Sequence, residues 1–151
     1  MRVLYPFSEY SSKLPSYLAA LHNLIYTYNE KLAEVTSRKV ANTFLGIASD
    51  KLMLDLHVTH SEHAVDTIRE HIQEWGLKLE TTEAGRHTSC EIECPFAPLV
   101  HPLIARKNPF CPVSLLLLGA KRLSDRDASI ASMTLEENGC RFTIGPTAAL
   151  Q

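Results

Sequence analysis

The sequence has no long apolar run and little net charge, and each of these shortages argues against a class of protein. No apolar run approaches the ~20 residues that a membrane span requires, and residues 1–6 lack the apolar core of a signal peptide. The 15 basic and 17 acidic residues are scattered and give a net charge of −2, whereas nucleic-acid binding requires clustered, uncompensated Lys and Arg. We therefore expect a cytoplasmic protein with no membrane span and no direct nucleic-acid partner.

Familiar catalytic motifs are missing as well. The sequence has no Gly-x-Ser-x-Gly nucleophile elbow, no Gly-rich phosphate loop and no carboxylate pair at helical spacing within an apolar run. A chain of 151 residues with 45% hydrophobic content is long enough to bury one core without disulfide staples. We expect an N-terminal segment over residues 1–13 followed by a single domain over residues 14–147.

Hydrophobic periodicity predicts two long helices in the first half of the chain. Apolar residues recur at helical spacing over residues 14–35, which predicts an amphipathic first helix. A capping box at residues 59–62 predicts the start of a second helix, whose buried stripe extends to Trp75 and whose C-terminal cap is Gly76. In the second half, prolines restrict a helix to a short piece over residues 96–105.

A further helix is predicted over residues 112–122, and its apolar residues on several faces predict burial in the core. Alternating apolar residues and turn signals predict three strand pairs, although the first arm of the first pair fits a short helix equally well. The predicted pairs are 40–48 with 52–58 around Ser49-Asp50, 77–82 with 87–94 around Ala84-Gly85, and 129–136 with 140–144 around Asn138-Gly139. The predicted fold class is α+β, a single domain with an antiparallel sheet built from hairpins and helices packed against it.

The four cysteines suggest a metal site. Cys90 and Cys94 are an even number of positions apart on a predicted strand, so both side chains point to the same face. Cys111 precedes a helix, where exposed N–H groups lower a thiol pKa. Cys140 lies in the C-terminal hairpin, which can fold back onto the sheet. Three or four thiolates suit zinc, with His101 as a substitute ligand; buried reduced cysteines explain the same pattern.

Large apolar side chains exceed what a thin sheet buries on one face, which predicts an enclosed apolar cavity between the first helix and the sheet. Enclosing a polar ligand there would leave its hydrogen-bonding groups unpaired at about 1–3 kcal/mol each, so we expect an aromatic or aliphatic ligand. Packing of the same side chains against one another is the competing explanation. The predicted ligand-binding residues are Ile25, Tyr28, Phe44, Phe96, Phe110 and Leu116.

Three short runs in the second half of the chain carry a resemblance to a known family. They are Cys94-Pro95-Phe96-Ala97, then Asn108-Pro109-Phe110-Cys111 opening a Leu-rich helix with Gly119, and Gly139-Cys140-Arg141-Phe142-Thr143-Ile144. Through these runs, the part of the chain from residue 77 to residue 145 resembles the 4-vinyl reductase-type domain, also called the hydrocarbon-binding domain. In that family a compact α+β domain often dimerises and holds a small apolar ligand, and several members are the sensory part of transcriptional regulators.

The resemblance also implies site residues. Some members of the family carry a structural zinc held by cysteines from these runs, which correspond here to Cys94, Cys111 and Cys140. The family usually has a further cysteine in the strand before the last turn, whereas residues 129–133 have none. We expect Cys90 to supply the missing thiol. A homodimer is expected too, because an aromatic, amphipathic first helix leaves apolar surface that a two-fold partner can cover.

Two functional hypotheses follow. The preferred one is a non-catalytic binding or sensing domain for a small hydrophobic molecule, with a zinc that staples the C-terminal hairpin. The alternative is a cysteine-dependent enzyme acting on a small molecule, with Cys111 or Cys94 as nucleophile and His101 as base. Thiols saturated by a metal are poor nucleophiles, so metal content separates the two hypotheses.

Overall fold

A computed structural model describes residues 20–21, 23–25, 27–103 and 111–146. Helix α1 covers residues 20–21, 23–25 and 27–35, which confirms the described part of the predicted first helix. The following elements are α2 (Arg38–Asp55), α3 (Ala64–Gln73), β1 (Lys78–Ala84), β2 (His87–Glu93), α4 (Ala97–Val100), a 3₁₀ turn (His101–Leu103), α5 (Pro112–Arg122), β3 (Ala128–Leu135) and β4 (Gly139–Pro146). The segment predicted over residues 1–13 lies outside the described residues.

The four strands form one antiparallel sheet in the order β1-β2-β4-β3. Two hairpins therefore lie side by side with β2 and β4 at the centre, and the predicted α+β class is confirmed. Every second residue points to one face, as strand geometry requires. The members of this face that are buried under the helices include Leu79, Thr88, Cys90, Ile92, Cys140, Phe142 and Ile144. The opposite face carries exposed polar side chains such as Glu80, Glu91 and Arg141.

Helix α5 occupies the middle of the core. Residues 114–120 are all buried, and the helix contacts α2, α3, β3 and β4. This confirms the predicted burial on several faces. Gly119 allows the close approach of α2, because a Cβ at this position would lie 2.6 Å from the carbonyl oxygen of Ser49.

The predicted first strand pair is wrong, because residues 38–55 form the single 18-residue helix α2. The helix begins after Ser37, whose Oγ accepts a hydrogen bond from the Val40 N–H at 3.1 Å. Leu52, Leu54, Leu56 and Val58 alternate in the sequence and predicted a strand with Met53 on its outer face. In the structure Met53 is 1% exposed and Leu54 is 64% exposed. All four apolar residues thus lie outside any strand, and they do not share a face, since Leu54 is exposed whereas Val58 is buried in the core.

The buried face of α2 explains the error. Ala41, Gly46, Ser49 and Met53 form this face, which is dominated by small residues. Small residues contribute little to a hydrophobic pattern, although they let two helices approach closely. The leucine alternation therefore outweighed the helical signal.

Helix α3 confirms the predicted second helix with a different start. It begins at Ala64, and its N-cap His63 has a positive φ of 66° and makes no side-chain capping bond, so the predicted capping box is wrong. Ile68 and Ile72 are fully buried as predicted, whereas Trp75 is exposed. Gly76 follows the helix with a positive φ of 86°, which suits the predicted glycine cap.

Both predicted hairpins in the second half are present. The β1–β2 turn places Gly85 at a φ of 64°, as expected for a turn glycine. In the β3–β4 hairpin the Glu136 N–H donates to the Gly139 carbonyl at 2.8 Å, so the turn is centred one residue earlier than Asn138-Gly139 predicts. Gly139 is required for a different reason, because a Cβ there would lie 1.7 Å from the Ile92 carbonyl oxygen on β2.

Candidate functional site

Three of the four cysteines converge at one end of the sheet. Cys94 follows β2, Cys111 precedes α5 and Cys140 lies in β4 opposite Ile92. The Cys94 N–H donates to the Asn138 carbonyl at 2.8 Å, which ties the end of β2 to the turn before Cys140. The Cys140 thiol hydrogen-bonds the Cys111 sulfur, and Cys94 lies close enough to both for their charges to interact. These three residues are called the thiol group below.

Cys94 and Cys111 share a local geometry. Each is followed by a proline, which has no N–H and fixes φ, so the chain turns immediately into a helical segment. In both cases the N–H group three positions later donates to the cysteine carbonyl oxygen, from Ala97 to Cys94 at 3.2 Å and from Ser114 to Cys111 at 2.9 Å. The same turns bring the N–H groups of Phe96 and Ala97 near the Cys94 sulfur, and those of Val113 and Ser114 near the Cys111 sulfur, where they favour a lower thiol pKa. Backbone N–H groups near a sulfur stabilise a thiolate more than a thiol.

The thiols differ in pKa. The hydrogen bond from Cys140 and the two backbone N–H groups lower the pKa of Cys111 despite its burial. The same hydrogen bond, together with burial, raises the pKa of Cys140, which keeps its proton. Burial raises the pKa of Cys94 in spite of its own N–H donors. Cys111 is therefore the member of the thiol group that ionises first.

Cys90 is linked to the thiol group only through a charge interaction with Cys140. It is buried in the middle of β2, where it pairs with Thr81 and Phe142, and its Sγ is 4.0 Å from the Thr88 carbonyl oxygen. Burial, aided by the charge of Glu83, raises its pKa to about 12. Cys90 and Cys94 are expected on one face only if the strand continues to Cys94, but β2 ends at Glu93. Cys90 itself is buried under the helices, in the main core.

His101 makes the hydrogen bond that is typical of a metal-binding histidine. Its Nδ1 lies 2.7 Å from the Glu136 carbonyl oxygen, which only accepts hydrogen bonds, so Nδ1 is the donor, and in the neutral ring Nε2 then keeps a lone pair. Metal-ligating histidines typically donate their second ring N–H to a carbonyl in this way. The residue lies beside the β3–β4 turn that precedes Cys140.

The sulfur donors of the thiol group fit zinc by their chemistry, since zinc binds thiolates and imidazole nitrogen. Their positions fit less well. Within residues 20–21, 23–25, 27–103 and 111–146, no group of three or more His, Cys, Asp or Glu side chains is disposed to hold a metal ion. Closing the thiol group around an ion therefore requires these side chains to move closer together.

The predicted ligand-binding residues occupy different environments. Tyr28 and Phe44 are exposed, Ile25 is half-buried and Leu116 is buried in the core. Phe96 is half-buried and packs against both the main core and a smaller apolar cluster around Val100. Phe110 lies outside the described residues. The structure therefore brings Phe96 and Leu116 to the main core and leaves Tyr28 and Phe44 at the surface.

A polar groove on the open face of the sheet has no counterpart in the sequence-based site prediction. It has a volume of about 520 Å³, and several carboxylates line it. The residues that line the groove include Lys78, Glu80, Glu91, Glu93, Glu136 and Glu137. Two of these glutamates form ion pairs with Arg141, Glu91 at 3.2 Å and Glu136 at 2.6 Å. The polar half of the strand alternation carried this signal, because Glu91 and Glu93 face away from the core.

In the described part of the chain, no helix combines the length and the apolar character needed to cross a membrane. Comparison with known proteins gives no match, since no family model, no curated protein and no solved structure is similar to this chain.

Proposed function

We propose that the protein is a non-catalytic domain that binds or senses a small hydrophobic molecule and is stapled by a zinc ion on Cys94, Cys111 and Cys140. One observation carries the metal proposal: two Cys-Pro turns each place backbone N–H groups near a sulfur, and a third thiol, that of Cys140, pairs with one of these sulfurs. N–H groups near a sulfur offset the cost of holding several thiolates together. The resemblance of residues 77–145 to the hydrocarbon-binding domain supports the same ligands.

A bound zinc would supply cross-links and no reaction chemistry. The thiol group joins the end of β2, the start of α5 and the first residues of β4, so its closure would fasten the C-terminal hairpin to the core. Such a bond contributes folding free energy, because the unfolded chain has no preformed site. The free Nε2 of His101 is the donor we assign to the fourth position.

The ligand proposal is for an aromatic or aliphatic molecule near Phe96. This side chain is half-buried beside the thiol group and contacts two apolar clusters, so a ligand there would be sensed at the metal-stapled end of the sheet. We also propose that two copies of this domain form a homodimer.

Cobalt(II) binding tests the metal proposal. Thiolate ligands to cobalt give a sulfur-to-metal charge-transfer absorption, which we expect in the wild-type protein and not in Cys111→Ser. Cys90→Ala is the matched control, because Cys90 lies outside the thiol group, and its absorption should equal that of the wild type. A wild-type protein that shows no such band in the presence of excess cobalt would contradict the proposal.

The cysteine-dependent enzyme remains the second candidate, and one observation favours it. Cys111 is half-buried at the start of α5, and its pKa is lowered by the Cys140 thiol. Alkylation separates the two functions. A metal-binding domain should protect Cys111 from iodoacetamide until a chelator is added, whereas an enzyme should show rapid alkylation of Cys111 with and without chelator.

A further inference from the structure

Helix α2 has apolar residues on two opposite faces. Its inner face, which includes Ala41, Ser49 and Met53, packs against α5. Its outer face carries four large apolar side chains, each exposed to a substantial fraction. They are Val40 at 37%, Phe44 at 57%, Ile47 at 55% and Leu54 at 64%. A helix on the surface of a domain normally has one apolar stripe, so the second stripe indicates a second contact.

The four residues, called the outer stripe below, have the spacing of a helix–helix seam. Steps of four, three and seven positions separate them, and Lys51 occupies the place that would divide the last step into four and three. Alternating steps of three and four keep side chains on one line along a helix that packs against another helix. The exposed neighbours Thr43 and Ala48 are small, which allows a second helix to approach closely.

The charge along the outer stripe fits a second copy of this chain. Lys51 lies along the line of the outer stripe, and its Nζ lies 2.6 Å from Asp55 Oδ1 on the next turn. The stripe is therefore close to neutral and carries one charge of each sign. A two-fold contact brings the same patch from each copy together, so a neutral patch does not repel itself. Nucleic acid and anionic lipid would find no excess of positive charge here.

Helix α1 adds apolar surface beside the outer stripe. The Asn29 side chain donates to the Ala41 carbonyl at 3.2 Å, and Arg38 binds Glu30 at 2.6 Å, so the end of α1 is held next to the start of α2. Exposed large side chains on α1 are Leu21, Leu24, Tyr28 and Val35. At roughly 100 Å² each, the outer stripe together with Tyr28 and Val35, which lie near the held end of α1, presents on the order of 600 Å² per copy, the lower end of the size of specific protein interfaces.

We propose that the outer stripe of α2 is the two-fold contact of a homodimer, with the exposed side chains of α1 at its border. The inference specifies the surface of the homodimer in the proposed function and depends on neither the metal nor the ligand. Ile47 lies at the middle of the stripe, so a two-fold contact brings it close to its own counterpart.

Charge substitution at Ile47 tests this pairing. Ile47→Asp and Ile47→Lys each place like charges together at the axis, and each should weaken dimerisation at least tenfold, giving monomers in sedimentation at micromolar concentration. An equimolar mixture of the two variants should regain the dimer, because opposite charges then meet. Regain of mass on mixing also excludes unfolding as the cause of the monomers.

Leu99→Asp and Leu99→Lys are the matched controls. Leu99 is an equally exposed leucine on α4, away from α2, and both variants should remain dimeric. A wild-type protein that is monomeric at high micromolar concentration would overturn the inference. So would dimers of both Ile47 variants, or a mixture that stays monomeric. In each of these cases cobalt binding still reports separately on the metal site.

Discussion

Gly119 decides how closely α2 approaches α5. A Cβ at this position would lie 2.6 Å from the Ser49 carbonyl oxygen and 2.8 Å from the Met53 Cγ. Alanine favours a helix over glycine by about 1 kcal/mol, but the backbone contact forces the two helices apart. We expect Gly119→Ala to lower the free energy of unfolding by about 1–3 kcal/mol, measured by denaturant titration.

Gly46→Ala is the matched control for this prediction. A Cβ at Gly46 meets the guanidinium end of Arg122, at 2.8 Å, which can shift where a backbone cannot, at the expense of part of its ion pair with Asp50. Its unfolding free energy should stay within about 1 kcal/mol of the wild type. Equal losses for the two alanine variants would mean that α2 and α5 do not approach at Gly119.

Asp50 ties α2 to the end of α5 through charge. Its carboxylate lies 3.0 Å from Arg122 Nε and 2.8 Å from Arg126 Nη2. Burial raises the pKa of Asp50, but the hydrogen bonds and charges of Arg122 and Arg126 outweigh it, so the pKa is lowered overall. A lowered folded-state pKa adds stability above the unfolded-state pKa, and this stability is lost as the pH falls through the folded-state value.

Asp50→Asn should therefore lower the free energy of unfolding by about 1–2 kcal/mol at pH 7, and the deficit should shrink below about pH 4. Glu137→Gln removes the same charge from the exposed β3–β4 turn and should change stability by less than about 0.5 kcal/mol. Urea titration at both pH values gives the comparison. A deficit for Asp50→Asn that grows towards low pH would contradict the sign of the shift.

Among the elements, the sequence predicts best where the buried residues are large. Thr88, Cys90 and Ile92 alternate with exposed residues along β2, and the burial matches the pattern. Helix α5 is predicted for the same reason, because the buried residues of its apolar run, Leu115 to Leu118, are large. Helix α2 fails because most residues of its fully buried face are small and several of its large residues, such as Phe44 and Leu54, point outwards. Local pattern does not distinguish a large residue that packs on the core from one that packs on a second molecule.

Met53→Ala and Leu54→Ala test the assignment of α2 as a helix. Removing the buried Met53 side chain should cost about 2–4 kcal/mol of unfolding free energy, whereas Leu54→Ala should cost less than about 1 kcal/mol. Both are compared in the Ile47→Asp background, so that dimerisation contributes to neither value. The strand prediction requires the reverse order, because it places Leu54 in the core.

For the whole molecule, the hairpins and the helix-covered sheet follow from the sequence, but the thiol group does not follow from spacing alone. Cys94, Cys111 and Cys140 lie far apart in the chain, and they meet because β4 pairs with β2 and α5 begins at the same end of the sheet. The resemblance of three short runs predicts these three cysteines, and Cys90 is the fourth ligand expected from the sequence. Strand alternation grouped Cys90 with Cys94, since it carries no information on where β2 ends.

The zinc content of the purified protein tests the central proposal most directly. After expression in zinc-replete medium, elemental analysis should find about one zinc per chain in the wild type and in Cys90→Ala, because the ligands lie in the thiol group and not in the middle of β2. Cys111→Ser and Cys140→Ser should lose most of the metal. A wild-type content below about a tenth of an equivalent would contradict the proposal that the thiol group binds a structural metal.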